Sequence, residues 1–281
     1  MPAPPKDAAS RLVDVVSIRP CGSDAVVLRV ACALPVVRAS RFFMLRREDG
    51  TAPLIPRPYS IYRQGDGWLE FLIKVMGRGS RALSSAPIGS KLRLVGPLGN
   101  GWPALDGAGA PWVMLAGGVG SAPFPMAIEQ AFVGMDGKAR CTKDGMHLLF
   151  GARDAGLLYD HEMLGAMGVP VHLATLDGSI GFKGHVVALL EDLWARGVIP
   201  REVRLLACGP DRMLEAVHAL ALAKGLEAWL SLETLMGCGV GICNGCPVPT
   251  RKGGALDGWS NAKCCVEGPV FAARDIELVH H

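Results

Sequence analysis

Leu115-Ala116-Gly117-Gly118-Val119-Gly120-Ser121-Ala122-Pro123 is the stretch that decides the fold. The apolar run Trp112–Ala116 leads into it and reads as a buried strand. The segment near Pro125–Phe132 leaves it and reads as a helix. Glycines between a strand and a helix let a pyrophosphate come close to the backbone, and the helix N-terminus favours its charge. The pattern is G-x-G-x-x-P and not the full dinucleotide fingerprint, so a tight strand–helix turn is the plain alternative. Downstream, His147–Phe150, Val171–Ala174 and Val203–Ala207 read as further buried strands. Helical patterns lie between them, near Leu157–Ala166, Val186–Ala195 and Met213–Lys224. Strands alternating with helices predict a parallel α/β sheet over residues 105–226.

Upstream the texture differs. Ala25–Cys32, Phe42–Leu45, Trp68–Val75 and Lys91–Val95 are short apolar runs punctuated by Gly, Pro and Asp. That spacing predicts a small β-barrel or sandwich over residues 1–104. From about Leu226 the chain turns Gly- and Cys-rich, which predicts a small module over residues 227–281. At about 150 residues per domain, 281 residues give two compact units with room for this third.

Composition narrows the function. Half of the residues are hydrophobic and 20% are charged, which supplies a core and excludes a disordered chain. The net charge of +3, from 29 basic and 26 acidic residues, is too balanced to argue for nucleic acid or a membrane surface. Between Asp106 and Glu129 lie 22 uncharged residues, but five glycines and three prolines break the run, so no membrane span is expected. Met1–Arg11 has no apolar signal-peptide core, and a cytoplasmic protein is expected. His280 and His281 read as a tag remnant.

Nine cysteines are present, and five of them fall between Cys238 and Cys265. Cys238, Cys243 and Cys246 have the spacing C-x4-C-x2-C, the plant-type [2Fe–2S] arrangement, with a fourth cysteine at 264 or 265. Gly237, Gly239, Gly241 and Gly245 let a loop wrap such a cluster. Zinc ribbons more often pair two C-x2-C knuckles, and only one C-x2-C is here.

Arg57-Pro58-Tyr59-Ser60 follows Pro56 at a strand edge. An Arg can hold a phosphate, a Tyr can stack on a flat ring, and a Ser can hydrogen-bond a ring nitrogen. Alone this is also an ordinary strand end. Gly77-Arg78-Gly79-Ser80 adds a plausible phosphate-binding turn. Cys208-Gly209-Pro210 sits at a strand end, where a second cofactor contact is expected, although a lone Cys is more often simply buried. Asp154, just after the strand His147–Phe150, favours a free ribose 2′-hydroxyl and so NAD, while Arg153 beside it could pair with a phosphate.

In the order R-x-Y-S, GGVG-x-AP, CGP and C-x4-C-x2-C, the chain resembles the ferredoxin–NADP reductase superfamily. More narrowly it is similar to the electron-transfer subunits of NAD-dependent dihydroorotate dehydrogenases. That match rests on Gly96-Pro-Leu-Gly-Asn-Gly101, Thr175-Leu-Asp-Gly-Ser-Ile-Gly181, Cys238 to Cys246, and Cys265-Val-Glu-Gly-Pro-Val-Phe271. The resemblance implies an FAD-binding barrel, an NAD-binding α/β domain and a [2Fe–2S] module. It makes Cys265 the fourth cluster ligand. It gives FAD to Arg57, Pro58, Tyr59, Ser60 and Lys74, with its pyrophosphate at Gly79 and Ser80. It turns Gly117, Gly118 and Gly120 towards NAD, with Asp154, Gly209 and Pro210 among the contacts. Ser60, Cys208 and Glu233 would be the residues at the chemistry. It also implies an FMN-containing catalytic partner in a heterotetramer.

The three cofactors would form a relay, because NAD exchanges two electrons as a hydride, a cluster carries one, and a flavin does both. Other readings share parts of this pattern. One is the small subunit of a ferredoxin:NAD(P) oxidoreductase or sulfide dehydrogenase. Another is an oxygenase reductase, whose cluster domain is usually longer. The last is a zinc-stapled interaction module.

Overall fold

The computed structural model describes residues 7–48, 53–135, 138, 140–142 and 145–278. Met1–Lys6, His280 and His281 lie outside them. The first body holds β1 (Ala9–Cys21), β2 (Ala25–Ala31), β3 (Phe42–Arg47), β4 (Arg57–Ser60), β5 (Arg63–Gly65), β6 (Trp68–Lys74) and β7 (Lys91–Leu98). Their order is β4-β3-β7-β1-β2-β6-β5, and every pairing is antiparallel. The edge strands β4 and β5 are joined by Ile61 and Tyr62. Ile61 donates its N–H to Arg41 O and Tyr62 to Glu70 O, which curls the sheet towards a barrel. A short helix, α1 (Arg78–Ser84), fills the connection between β6 and β7.

The second body is the expected α/β unit. Its sheet contains β8 (Trp112–Gly117), β9 (Met146–Ala152), β10 (Val171–Thr175), β11 (Phe182–Lys183), β12 (Arg204–Cys208), β13 (Ala228–Ser231) and β16 (Val270–Ala272). The order is β11-β10-β9-β8-β12-β13-β16, parallel except for β16. Alternate residues of β8 explain its two covered faces. Trp112, Met114 and Ala116 pack with Phe124 of α2 (Phe124–Val133), and Val113 and Leu115 pack with residues of α4 (Val186–Ala195) and α5 (Asp211–Lys224). The chain runs from β8 outward to β10, then returns so that β12 lies beside β8. The resulting switch point at the carboxyl edge is where an open α/β sheet takes its ligand.

The cysteine-rich segment, with the small pair β14 (Pro247–Pro249) and β15 (Asn261–Lys263), leaves this sheet after β13 and returns through β16. Its flanking strands therefore belong to the α/β sheet, and a boundary drawn at 226/227 cuts through that sheet. The helix read over Leu157–Ala166 is shorter than its pattern: α3 runs His161–Ala166, because Asp160 takes a left-handed φ of 48°.

Two of the seams between the barrel and its neighbours are built of polar side chains around a backbone contact. At the first, Ser23 N–H donates to Gly156 O at 2.8 Å, and Tyr62 Oη donates to Asp160 Oδ2 at 2.7 Å. Arg19 pairs with both Asp160 carboxylate oxygens, Tyr159 Oη donates to Asp24 at 2.5 Å, and Lys74 lies 3.4 Å from the other Asp24 oxygen. At the second seam, Asn100 Nδ2 donates to Glu267 O at 2.8 Å and Val270 O at 2.7 Å. Asn100 Oδ1 accepts from Val270 N–H at 3.1 Å, and Asn100 N–H donates to Gly268 O at 2.8 Å.

Candidate functional site

The Arg57–Ser60 strand pairs with β3, placing Pro58 opposite Met44 and Tyr59 opposite Phe43. Arg57 is exposed, donates Nη1 to Ile55 O at 3.2 Å and lies against Gly79, where a Cβ would sit 3.1 Å from its Cγ. The structure thus brings two separately read motifs together. Only glycine leaves this cradle beside the arginine, at the start of α1, whose first amides have no intrahelical partners. Ser80, expected at the FAD pyrophosphate, sits in a turn that its own hydroxyl shapes. Its hydroxyl accepts from Met76 N–H at 2.9 Å and Gly77 N–H at 3.1 Å and donates to Gly77 O at 3.1 Å, so it builds the turn. Lys74 is held by Asp24 at the first seam.

At the carboxyl edge of the sheet, Gly117 and Gly120 pack against the Cys208–Pro210 loop. A Cβ on Gly120 would sit 2.3 Å from Cys208 O, and one on Gly117 would sit 2.7 Å from Pro210 Cδ. Both positions need glycine for this contact alone. Gly118 is the open member, with nothing within 4 Å of its Cβ position, and it is the one that leaves room for a ligand. Asp154 caps the short turn after β9, accepting from Gly156 N–H at 3.0 Å and from Arg153 Nε at 3.1 Å.

Glu233 lies close enough to act on both the Tyr59 phenol and the Cys208 thiol. Burial pushes the Tyr59 phenol up to about 12; Arg57 works against this and Glu233 adds to it. Burial also raises the Cys208 thiol, with Glu233 again adding, while the Ser231 hydroxyl that hydrogen-bonds it opposes. Glu233 is itself open to solvent, yet protein crowds around it, and this desolvation lifts its carboxyl above the usual range, with Asp211 contributing. Sequence reasoning missed the support beneath: buried Ser231 Oγ lies 2.9 Å from Ser40 Oγ, joining β13 to the barrel.

The thiols fall into two pairs. Cys246 Sγ lies 3.3 Å from Cys265 Sγ, and the Cys238 and Cys243 thiols hydrogen-bond each other. Burial opposes ionisation of Cys238, but hydrogen bonds from the Val240 amide, the Cys243 thiol, and the Cys243 and Ile242 amides outweigh it and bring it to about 7. The Cys265 thiol lowers Cys246 to about 6 against burial, helped by the Cys265 and Cys264 amides. Cys264 faces away: it is fully buried, contacts Leu232 O at 3.5 Å, and burial pushes it up to about 12. Four thiols in two pairs, wrapped by amide donors, fit a two-iron cluster. Among the described residues no three Cys, His, Asp or Glu side chains converge as ligands of a single ion. The cluster loop rests on the barrel, where a Gly239 Cβ would sit 2.6 Å from Met44 Cγ.

This pairing of a barrel with a parallel sheet is the ferredoxin-reductase fold. A chain of an NADH-dependent reduced ferredoxin-NADP oxidoreductase superimposes with TM-score 0.77 at 22% identity, covering 95% of this chain and 90% of that one. A ferredoxin NADP+ reductase from Neisseria gonorrhoeae gives TM-score 0.63 at 18% identity over 77% of this chain and 92% of its own. Residues 233–277 match the family described as the iron-sulfur cluster binding domain of dihydroorotate dehydrogenase B. The chain is 33% identical over 240 residues to the dihydroorotate dehydrogenase B (NAD(+)) electron transfer subunit of Desulforamulus reducens, covering 84% of this chain and 85% of that one. It is 32% identical over 246 residues to the same subunit of Clostridium acetobutylicum, covering 86% and 87%. The chain belongs to this family, the electron transfer subunits of dihydroorotate dehydrogenase B (NAD(+)).

Proposed function

We propose that the chain carries electrons between NAD and a partner flavoprotein, using FAD on the barrel and a [2Fe–2S] cluster on Cys238, Cys243, Cys246 and Cys265. One observation carries this reading. The cluster loop touches Met44, and Met44 pairs with Pro58 inside the Arg57–Ser60 motif, so the two redox sites share one strand pair. When bound, the flavin exchanges a hydride with NAD and single electrons with the cluster.

Arg57 reaches the pyrophosphate with charge-assisted hydrogen bonds, beside the cradle at Gly79. Tyr59 covers one face of the flavin ring and Ser60 offers its hydroxyl to the ring edge. Cys208 and Glu233 border the nicotinamide, with Gly118, Gly209 and Pro210 admitting its phosphates. Asp154 favours the free ribose of NAD over NADP. The partner is the FMN-containing catalytic subunit of dihydroorotate dehydrogenase, in a heterotetramer. Leu235, 90% exposed, and Ile242, 81% exposed, flank the first ligands and offer it an apolar face. Nine unpaired cysteines suit the reducing cytoplasm, and no helix among the described residues is long and apolar enough to cross a membrane.

The test is reconstitution. The purified chain should oxidise NADH with artificial dyes and leave dihydroorotate untouched. Adding the FMN subunit should create NAD-dependent dihydroorotate oxidation. Turnover of dihydroorotate by the chain alone, or failure to couple with any such subunit, would contradict the proposal.

A further inference from the structure

Lys263 ends β15, directly before Cys264 and Cys265. It is half-buried, and its Nζ donates to Gly241 O at 2.7 Å. Its own N–H donates to Glu267 Oε2 at 2.6 Å. Gly241 lies in the loop between Cys238 and Cys243 and packs beside Cys265, where a Cβ on it would sit 2.6 Å from Val266 Cγ2. A cation is therefore latched to the loop whose Val240 amide donates to the Cys238 sulfur at 3.4 Å. The function proposed above gives it no task.

We propose that Lys263 is a positioning residue that sets the reduction potential of the cluster. It acts in two ways. It holds Gly241, and with it the loop whose Val240 amide stays on the Cys238 sulfur, and it places positive charge beside a group that gains one negative charge on reduction. Hydrogen bonds to sulfur and local charge are both levers on such potentials, and both act here to favour the reduced form. The Glu267 carboxylate faces the same turn and opposes the cation in part. The inference rests on the cluster reading given above.

The experiment is a potentiometric titration of the intact holoprotein followed by electron paramagnetic resonance, after iron and sulfide have been counted. Lys263→Gln keeps a donor for Gly241 O without the charge, Lys263→Met keeps neither, and Lys263→Arg keeps both. Lys263→Met should shift the reduction equilibrium at least tenfold towards the oxidised cluster, about 59 mV for a one-electron couple. Lys263→Gln should shift it part of the way, and Lys263→Arg should stay near the parent. Unchanged midpoints in the Met and Gln variants, at full iron content, overturn the proposal. If Lys263→Met loses its iron, the Gln variant decides alone, and iron loss there also overturns it by making Lys263 an assembly residue. A parent protein with no cluster at all fails the function reading first and takes this inference with it.

Discussion

Arg19, Asp24 and Tyr62 hold the barrel to residues 159–160 with charges and phenols, with Lys74 pairing Asp24 from within the barrel, whereas Asn100 holds it to residues 267–270 with one neutral amide. The two seams share a backbone device. Gly22 and Gly99 have φ of 61° and 73°, and each presses against a carbonyl of the neighbouring segment, Gly156 O and Gly268 O. They differ in what surrounds that contact. The charged seam clamps the loop that carries Asp154, where a fixed charge can also steer a nucleotide. The neutral seam follows Cys265 in the chain, and Asn100 meets only backbone groups there. Asn100 thus attaches the barrel without a charge of its own, whereas the first seam attaches it through charged side chains.

The shared device should give the largest effect. Gly22→Ala or Gly99→Ala puts a methyl 2.4 Å from the opposing segment in a left-handed conformation. Each should cost about 3 kcal/mol in urea unfolding, from overpacking and backbone strain together. A loss below about 1 kcal/mol would mean that the seam opens without resistance.

Asp160→Ala should come next, at about 2 kcal/mol, the scale of a hydrogen bond to a charged group. This effect depends on pH. Burial alone would raise the Asp160 carboxyl, but hydrogen bonds from Arg19 and Tyr62 hold it below the ordinary value. The unfolded chain therefore takes up the proton first as pH falls. The stabilisation is whole above about pH 4, near the unfolded value, and drains away as pH drops through the folded value. Unfolding at pH 7 and pH 3 should show the wild-type advantage shrinking in acid. A constant advantage would deny the charged character of this seam.

Asn100→Ala should cost about 1 kcal/mol, since water replaces part of what an exposed amide gives up. That cost should be equal in low and high salt. The smallest effect belongs to Lys74→Met, about 0.5 kcal/mol and erased by salt, as for a partly exposed ion pair. Its flavin content decides between two roles for Lys74. Full flavin assigns the residue to the seam, and depleted flavin returns it to the FAD site.

What could be read from the sequence follows from how local each signal is. Trp112–Gly117 and Arg204–Cys208 are continuous apolar runs, and their strands lie where the pattern predicts. The longest strand, Ala9–Cys21, escaped notice because its alternation is spoiled. A bulge falls between Val15 and Ser17, and Leu12 and Val16 face solvent. The cysteine spacing was legible because a cluster loop is local in sequence. For the fourth thiol the spacing left Cys264 and Cys265 both open and only the resemblance chose Cys265; the fold turns Cys264 towards Leu232 O and Cys265 towards Cys246. Contacts such as Asn100 with Val270 or Ser40 with Ser231 join distant residues that no periodicity links. Gly117 and Gly120 were legible as glycines, but their close packing against the Cys208–Pro210 loop was not.

The central claim is that one chain carries both flavin and a two-iron cluster, with Cys265 as fourth ligand. The direct measurement is the visible absorption spectrum of anaerobically purified protein, with iron and flavin counted, for the parent and for Cys264→Ser and Cys265→Ser. The account predicts one flavin and two irons per chain in the parent and in Cys264→Ser, and a bleached or shifted cluster band in Cys265→Ser. A colourless parent holding zinc, or a cluster lost in Cys264→Ser and kept in Cys265→Ser, would contradict it.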